Sequence, residues 1–150
     1  MDQQERITAM AAIMVKARQA GEDVGELIAA SLQSAARKLG NSGMLVSGRP
    51  GSWEADIVLR MARTGGYGNH ERRIELSPLF VAMGEAGVDG GDELSQAMSA
   101  AVDTLGGLDA FAGTSQWYHD LINIGCQYSS HAFSSASVYT LDKSKDGGEA

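Results

Sequence analysis

The sequence predicts a mainly α fold: a single compact domain of about five or six helices, with at most a minor pair of short strands. Three observations carry this expectation. Apolar residues recur at 3- and 4-residue steps through most of the chain. Residues that start helices, namely Asp2, Ser52 and the Ser77-Pro78 pair, stand just ahead of these stripes. Many of the 19 glycines fall where the stripes stop.

The first helix is expected over 3–19, with Ile7, Met10, Met14 and Ala17 on one face. Asp2 is its cap and Glu5 stands in the box position, three residues on. Gly21 closes it. The second helix is expected over 22–39. Val24, Leu27, Ile28, Ser31, Leu32, Ala35 and Leu39 form its stripe, and Gly40-Asn41 stops it. The joint between the two is short enough to predict that they pack as a hairpin.

Residues 41–51 read as a loop. Its apolar trio Met44-Leu45-Val46 is either a short strand or an anchor dipping into the core. Ser52 caps a third helix over 53–63. Trp53, Ile57, Val58 and Met61 give that helix an inward face, with Glu54 and Asp56 in its first turn and Arg60 and Arg63 in its last. The glycine-rich run 65–69 is the most flexible stretch. Residues 70–76 alternate and suggest a short strand. Ser77-Pro78 then opens a brief helix over 78–86, stopped by Gly87.

Asp89-Gly90-Gly91 reads as a turn. The cleanest stripe follows over 92–105: Leu94, Ala97, Met98, Ala101, Val102 and Leu105. Residues 108–113 form a linker with Phe111 as a plug. A last helix starts at Thr114 or Ser115 and runs through Trp117, Leu121, Ile122 and Ile124 to about residue 128. Residues 138–141 have strand propensity. Residues 142–150 are charged and nearly free of apolar side chains, so the domain is expected over 1–141 with a disordered acidic tail. The expected core holds Leu27, Leu32, Ile57, Met61, Leu94, Met98, Val102 and Ile122.

Composition narrows the function. The 150 residues are 43% hydrophobic and 21% charged, which suits one globular domain. A net charge of −7 argues against direct binding of nucleic acid, which rewards a basic excess. It also disfavours an anionic membrane surface. No window approaches the roughly 18–20 apolar residues of a membrane span, and the polar start lacks the form of a secretory signal. The single cysteine, Cys126, has no internal partner for a disulfide, which fits a reducing cytoplasm.

The common catalytic motifs are missing. There is no Walker-type phosphate loop, no H-E-x-x-H, no paired cysteine and no G-x-S-x-G elbow. Gly65-Gly66-Tyr67-Gly68 lacks the third glycine and the preceding strand of a dinucleotide fingerprint. His119 and Cys126 are seven residues apart, roughly 10 Å along a helix axis, too far for a nucleophile and its base. Asp120 lies beside them, and His131 has no evident partner. Asp89, Asp92 and Glu93 lack the ligand spacing of a calcium loop and read as turn and cap residues. No catalytic residue, metal or cofactor is expected.

The stretch Gly48-Arg49-Pro50-Gly51-Ser52-Trp53 is the one with ligand chemistry. A helix start offers free N–H groups and partial positive charge to an anion. Arg49 adds a guanidinium, Ser52 the cap and Trp53 a stacking ring. Tyr67, Arg72 and Arg73 come about 20 residues later, beyond a helix roughly 16 Å long.

The leading expectation is a small non-enzymatic accessory or regulatory protein, of the kind carried by a phage or plasmid. It would act by binding a partner protein or itself, through the adaptable Met and Ala stripes. The alternative is a binder of an anionic small molecule such as a nucleotide, through Arg49, Ser52, Trp53, Tyr67, Arg72 and Arg73. A third reading is an acidic decoy of a nucleic-acid-binding protein. It ranks last, because the carboxylates are spread along the chain and interleaved with arginines.

Overall fold

The structure is a computed structural model and describes residues 1–47 and 51–125. The described residues form seven α-helices and one 3-10 segment, with no strand among them. The helices are α1 (Gln3–Gln19), α2 (Val24–Leu39), α3 (Trp53–Thr64), α4 (His70–Glu85), α5 (Gly90–Leu105), α6 (Leu108–Ala112) and α7 (Tyr118–Gly125). The 3-10 segment, Ser42–Val46, lies between α2 and α3. The mainly α expectation is met. The strand propensity at 138–141 and the tail at 142–150 lie outside the described residues.

Local chemistry sets the helix ends. Asp2 closes a capping box on α1: its Oδ1 accepts from the Glu5 N–H at 2.8 Å, and the Asp2 N–H donates to Glu5 Oε1 at 2.9 Å. Asp23, Ser52, Asn69 and Asp89 cap α2, α3, α4 and α5 in the same way, each side chain accepting from a first-turn N–H. Gly40 and Gly106 end α2 and α5 in the left-handed conformation that glycine enters without a steric penalty.

The helices form two layers. In one, α2 lies between α3 and α4. In the other, α5 lies between α1 and α7. All eight residues of the expected core are buried, among them Leu27, Met61, Met98 and Ile122. The expected α1–α2 hairpin is not the main pairing. α1 packs chiefly on α5 and α4, and α2 on α4 and α3. The reason is that the first half of α2, 24–32, is buried on every side but that of Glu26. It therefore needs neighbours all round and serves as a central helix.

Three further expectations are corrected. Residues 70–76 are helical and continuous with 77–85, so Pro78 is inside α4 and does not begin a helix. The inward face explains this. Leu76, Phe80 and Met83 recur at steps of four and three and are fully buried. Each such burial is worth about 1.5–3 kcal/mol, which together exceeds the roughly 3 kcal/mol cost of an internal proline. Pro78 itself is exposed, so its ring does not disturb the core. Second, 108–112 is the short helix α6, with Phe111 fully buried as the expected plug. Third, Trp53 is not on the inward face of α3. It is 45% exposed, while Glu54 and Ala55 beside it turn inward. The trio at 44–46 is the anchor of the two alternatives: Leu45 and Val46 are buried in the 3-10 segment.

Candidate functional site

The residues considered for an anion fall into two separate places. Arg49 lies outside the described residues. Ser52 is an ordinary cap, its Oγ accepting from the Ala55 N–H at 3.1 Å. Beside it, Glu54 is 4% exposed, and its Oε1 has no hydrogen-bond partner. Tyr67 lies beyond the other end of α3, a 12-residue helix about 18 Å long. Its ring is 88% exposed, and its backbone N–H donates to Glu26 Oε2 at 2.9 Å. The loop at 65–69 rides over the start of α2, where Gly68 faces Leu27. The start of α3 instead packs on α5, where Gly91 faces Glu54.

Neighbours separate the two adjacent arginines. Arg72 is half-buried, with Nε 3.3 Å from Glu22 Oε1 and Nη1 3.7 Å from Glu75 Oε2. Its charge is already balanced within the protein. Arg73 meets no carboxylate. Its Nη2 donates to His70 Nδ1 at 3.0 Å.

The acidic and histidine clusters resolve into structural roles. Asp89 caps α5 through the Gly91 N–H, at 3.1 Å. Asp92 accepts from Gln96 at 3.0 Å. Glu93 is fully buried and takes a two-pronged contact from Arg6: Nε to Oε1 at 2.6 Å and Nη2 to Oε2 at 3.0 Å. This contact holds the Arg6 guanidinium above its ordinary, already high pKa, although burial acts in the opposite direction. Asp120 pairs with Arg60. His119 is exposed beside Tyr118. Cys126 and His131 lie outside the described residues. No group of three metal-ligating side chains occurs among the described residues.

A different surface emerges on the outer face of the α3–α2–α4 layer. Between α2 and α4 lies a shallow depression of about 310 Å³, lined by Ser34, His70, Arg73, Ile74, Ser77 and Pro78. Between α2 and α3 lies another of about 320 Å³, which includes Gln33, Arg37, Asn41, Ser42 and Arg63. Each of the three helices contributes one arginine. Arg63 comes from α3, Arg37 from α2 and Arg73 from α4. None of the three pairs with a carboxylate among the described residues. Arg37 donates to Gln33 Oε1 at 3.4 Å, and Arg63 to the Leu59 carbonyl at 3.3 Å. No Asp or Glu lines either depression. Ile74 is 59% exposed between Arg73 and Glu75.

That arrangement is unusual for a chain with 19 carboxylates and 12 Lys and Arg. The interleaving of charges ends at Arg73. No Lys or Arg follows until Lys143, while nine acidic residues occur between them. Three of the nine draw cations across the molecule: Glu75 takes Lys16, Glu93 takes Arg6 and Asp120 takes Arg60. Arg37, Arg63 and Arg73 remain without such partners among the described residues. Among them, sequence reasoning singled out only Arg73. The signal for the other two was their position off the apolar stripes of α2 and α3.

No family model, curated protein or solved structure matches this chain.

Proposed function

We propose that the protein works by binding a partner protein through the outer face of the α3–α2–α4 layer, without catalysis of its own. The observation that carries this reading is the pairing of opposites on that face. Ile74 exposes apolar surface beside Arg73, and neither Arg73 nor Arg37 and Arg63 in the neighbouring depression pairs with a carboxylate among the described residues. In an acid-rich protein, arginines that line neighbouring depressions without a carboxylate among the described residues are available to an outside ligand. Arginine is favoured at interfaces because its planar fork binds carboxylates while its stem packs on apolar surface. A half-exposed aliphatic side chain beside it supplies the dry centre that such contacts need.

The test is site-specific photo-crosslinking in the protein's own host. A benzophenone side chain at position 74 should give one discrete adduct. The same group at Thr104, on the α1–α5 side, should give none. An adduct of twice the chain mass would identify the partner as a second copy. Absence of an adduct at 74, with one at 104, would move the interface elsewhere and end this reading.

A further inference from the structure

We infer that the partner presents an acidic segment carrying at least one apolar side chain, seated across α3, α2 and α4 so that its carboxylates meet Arg63, Arg37 and Arg73. This inference rests on the docking reading above and adds the chemistry of the occupant.

Charge complementarity is the argument. The two depressions flank the exposed strip of α2 and offer three guanidiniums and no acid. Among the described residues each guanidinium has one weak acceptor: an amide oxygen, a backbone carbonyl or an imidazole nitrogen. A carboxylate makes a stronger, charge-assisted and often two-pronged contact with such a group. Ile74 and Pro78 lie beside Arg73 and take an apolar side chain from the same segment.

A nucleic acid fits less well. The protein's net charge of −7 repels a long polyanion, whereas a short peptide concentrates its charge on the local patch. No Phe, Tyr or Trp lines the two depressions to stack on bases. Ser34, Ser77, Gln33 and Asn41 are present instead, and they suit a peptide backbone.

The experiment titrates the intact protein with three probes at low salt, reading backbone amide shifts. The first is a 16-residue peptide of Asp and Glu with two leucines. The second is its Asn/Gln counterpart, and the third is a 16-nucleotide single-stranded oligo-dT. The acidic peptide should shift residues on α2, on the outer side of α3 and around Ile74. Its affinity should fall steeply with salt, and the Asn/Gln peptide should bind at least about tenfold more weakly. The triple variant Arg37→Gln, Arg63→Gln, Arg73→Gln should lose at least about tenfold, whereas Arg72→Gln should bind as the wild type does. Equal binding of the two peptides, tighter binding of oligo-dT, or no binding of the acidic peptide would each overturn the inference. The two claims fail separately. A photo-adduct at position 74 without affinity for acidic peptide would keep the docking face and remove the acidic partner. Absence of the adduct would remove the face itself.

Discussion

Arg6 and Glu93 show what a single buried contact decides in this protein. The pair is separated by 87 residues and closed to solvent, and it ties the first turn of α1 to that of α5. Taking a charge out of water is costly, so each partner is tolerable only while the other is present. Arg6→Met should therefore cost about 3–5 kcal/mol, because it leaves the Glu93 carboxylate buried and unpaired. The double variant Arg6→Met, Glu93→Leu should recover most of that loss. Urea unfolding of the two variants measures both, and equal losses would mean that the pair contributes through packing rather than charge. The sequence led only to turn and cap chemistry for Glu93, since charge patterning along one helix is blind to a partner 87 residues away. Trp53 departs from its expected inward face because of local geometry. A large apolar residue at the right spacing suggests an inward face, but at a helix start the cap geometry sets the direction of the first side chains.

Among the elements, the legible ones are those whose stripe and cap agree. α1, α2, α3 and α5 each combine a 3- and 4-residue apolar period with a capping side chain, and they were placed to within about two residues. α4 was split because two local signals misled in the same direction. Arg72, Ile74 and Leu76 alternate with Arg73 and Glu75, and Ser77-Pro78 imitates a helix start. Burial of Leu76, Phe80 and Met83 on one face overrides both. Close approaches between elements were legible only as glycines. A Cβ at Gly90 would lie 1.9 Å from the Leu45 carbonyl oxygen, in the backbone of the 3-10 segment. Neither side can retreat as the tip of a side chain would. Gly90→Ala should cost at least the 1–3 kcal/mol of typical overpacking, about the upper end of that range. Gly21→Ala is no control, because its φ of +79° is itself strained for alanine. Ala100→Ser, exposed on the same helix, should be nearly silent. Comparable losses at Gly90 and Ala100 would show that the α5 start is loose against the 3-10 segment.

At the scale of the whole molecule, the distribution of charge separates what holds the fold from what is left for a partner. Arg6 of α1 pairs with Glu93 of α5 within one layer, while Lys16 of α1 and Arg60 of α3 reach across to Glu75 of α4 and Asp120 of α7. The three arginines on the outer face have no such counterpart among the described residues. Composition alone could not reveal this, since a net charge of −7 says nothing about which guanidiniums lack carboxylates. The fold was largely readable because it follows from local periodicity. The candidate face was not, because it depends on which helices lie side by side. Neutralising its arginines should then leave the free protein intact. Exposed groups without ion pairs contribute little to stability, so Arg37→Gln, Arg63→Gln, Arg73→Gln should shift the unfolding free energy by no more than about 0.5 kcal/mol per site. Arg72→Gln is the contrast. It strips the charge partner from Glu22, whose side chain is only 18% exposed, and should cost about 1 kcal/mol, more than any one of the three sites. Urea denaturation of both variants, with equal m-values to show that the unfolded states match, gives the comparison. If the triple variant lost more than about 1.5 kcal/mol in total, the three arginines would be structural, and the outer face of the α3–α2–α4 layer would lose its claim as a surface kept for binding.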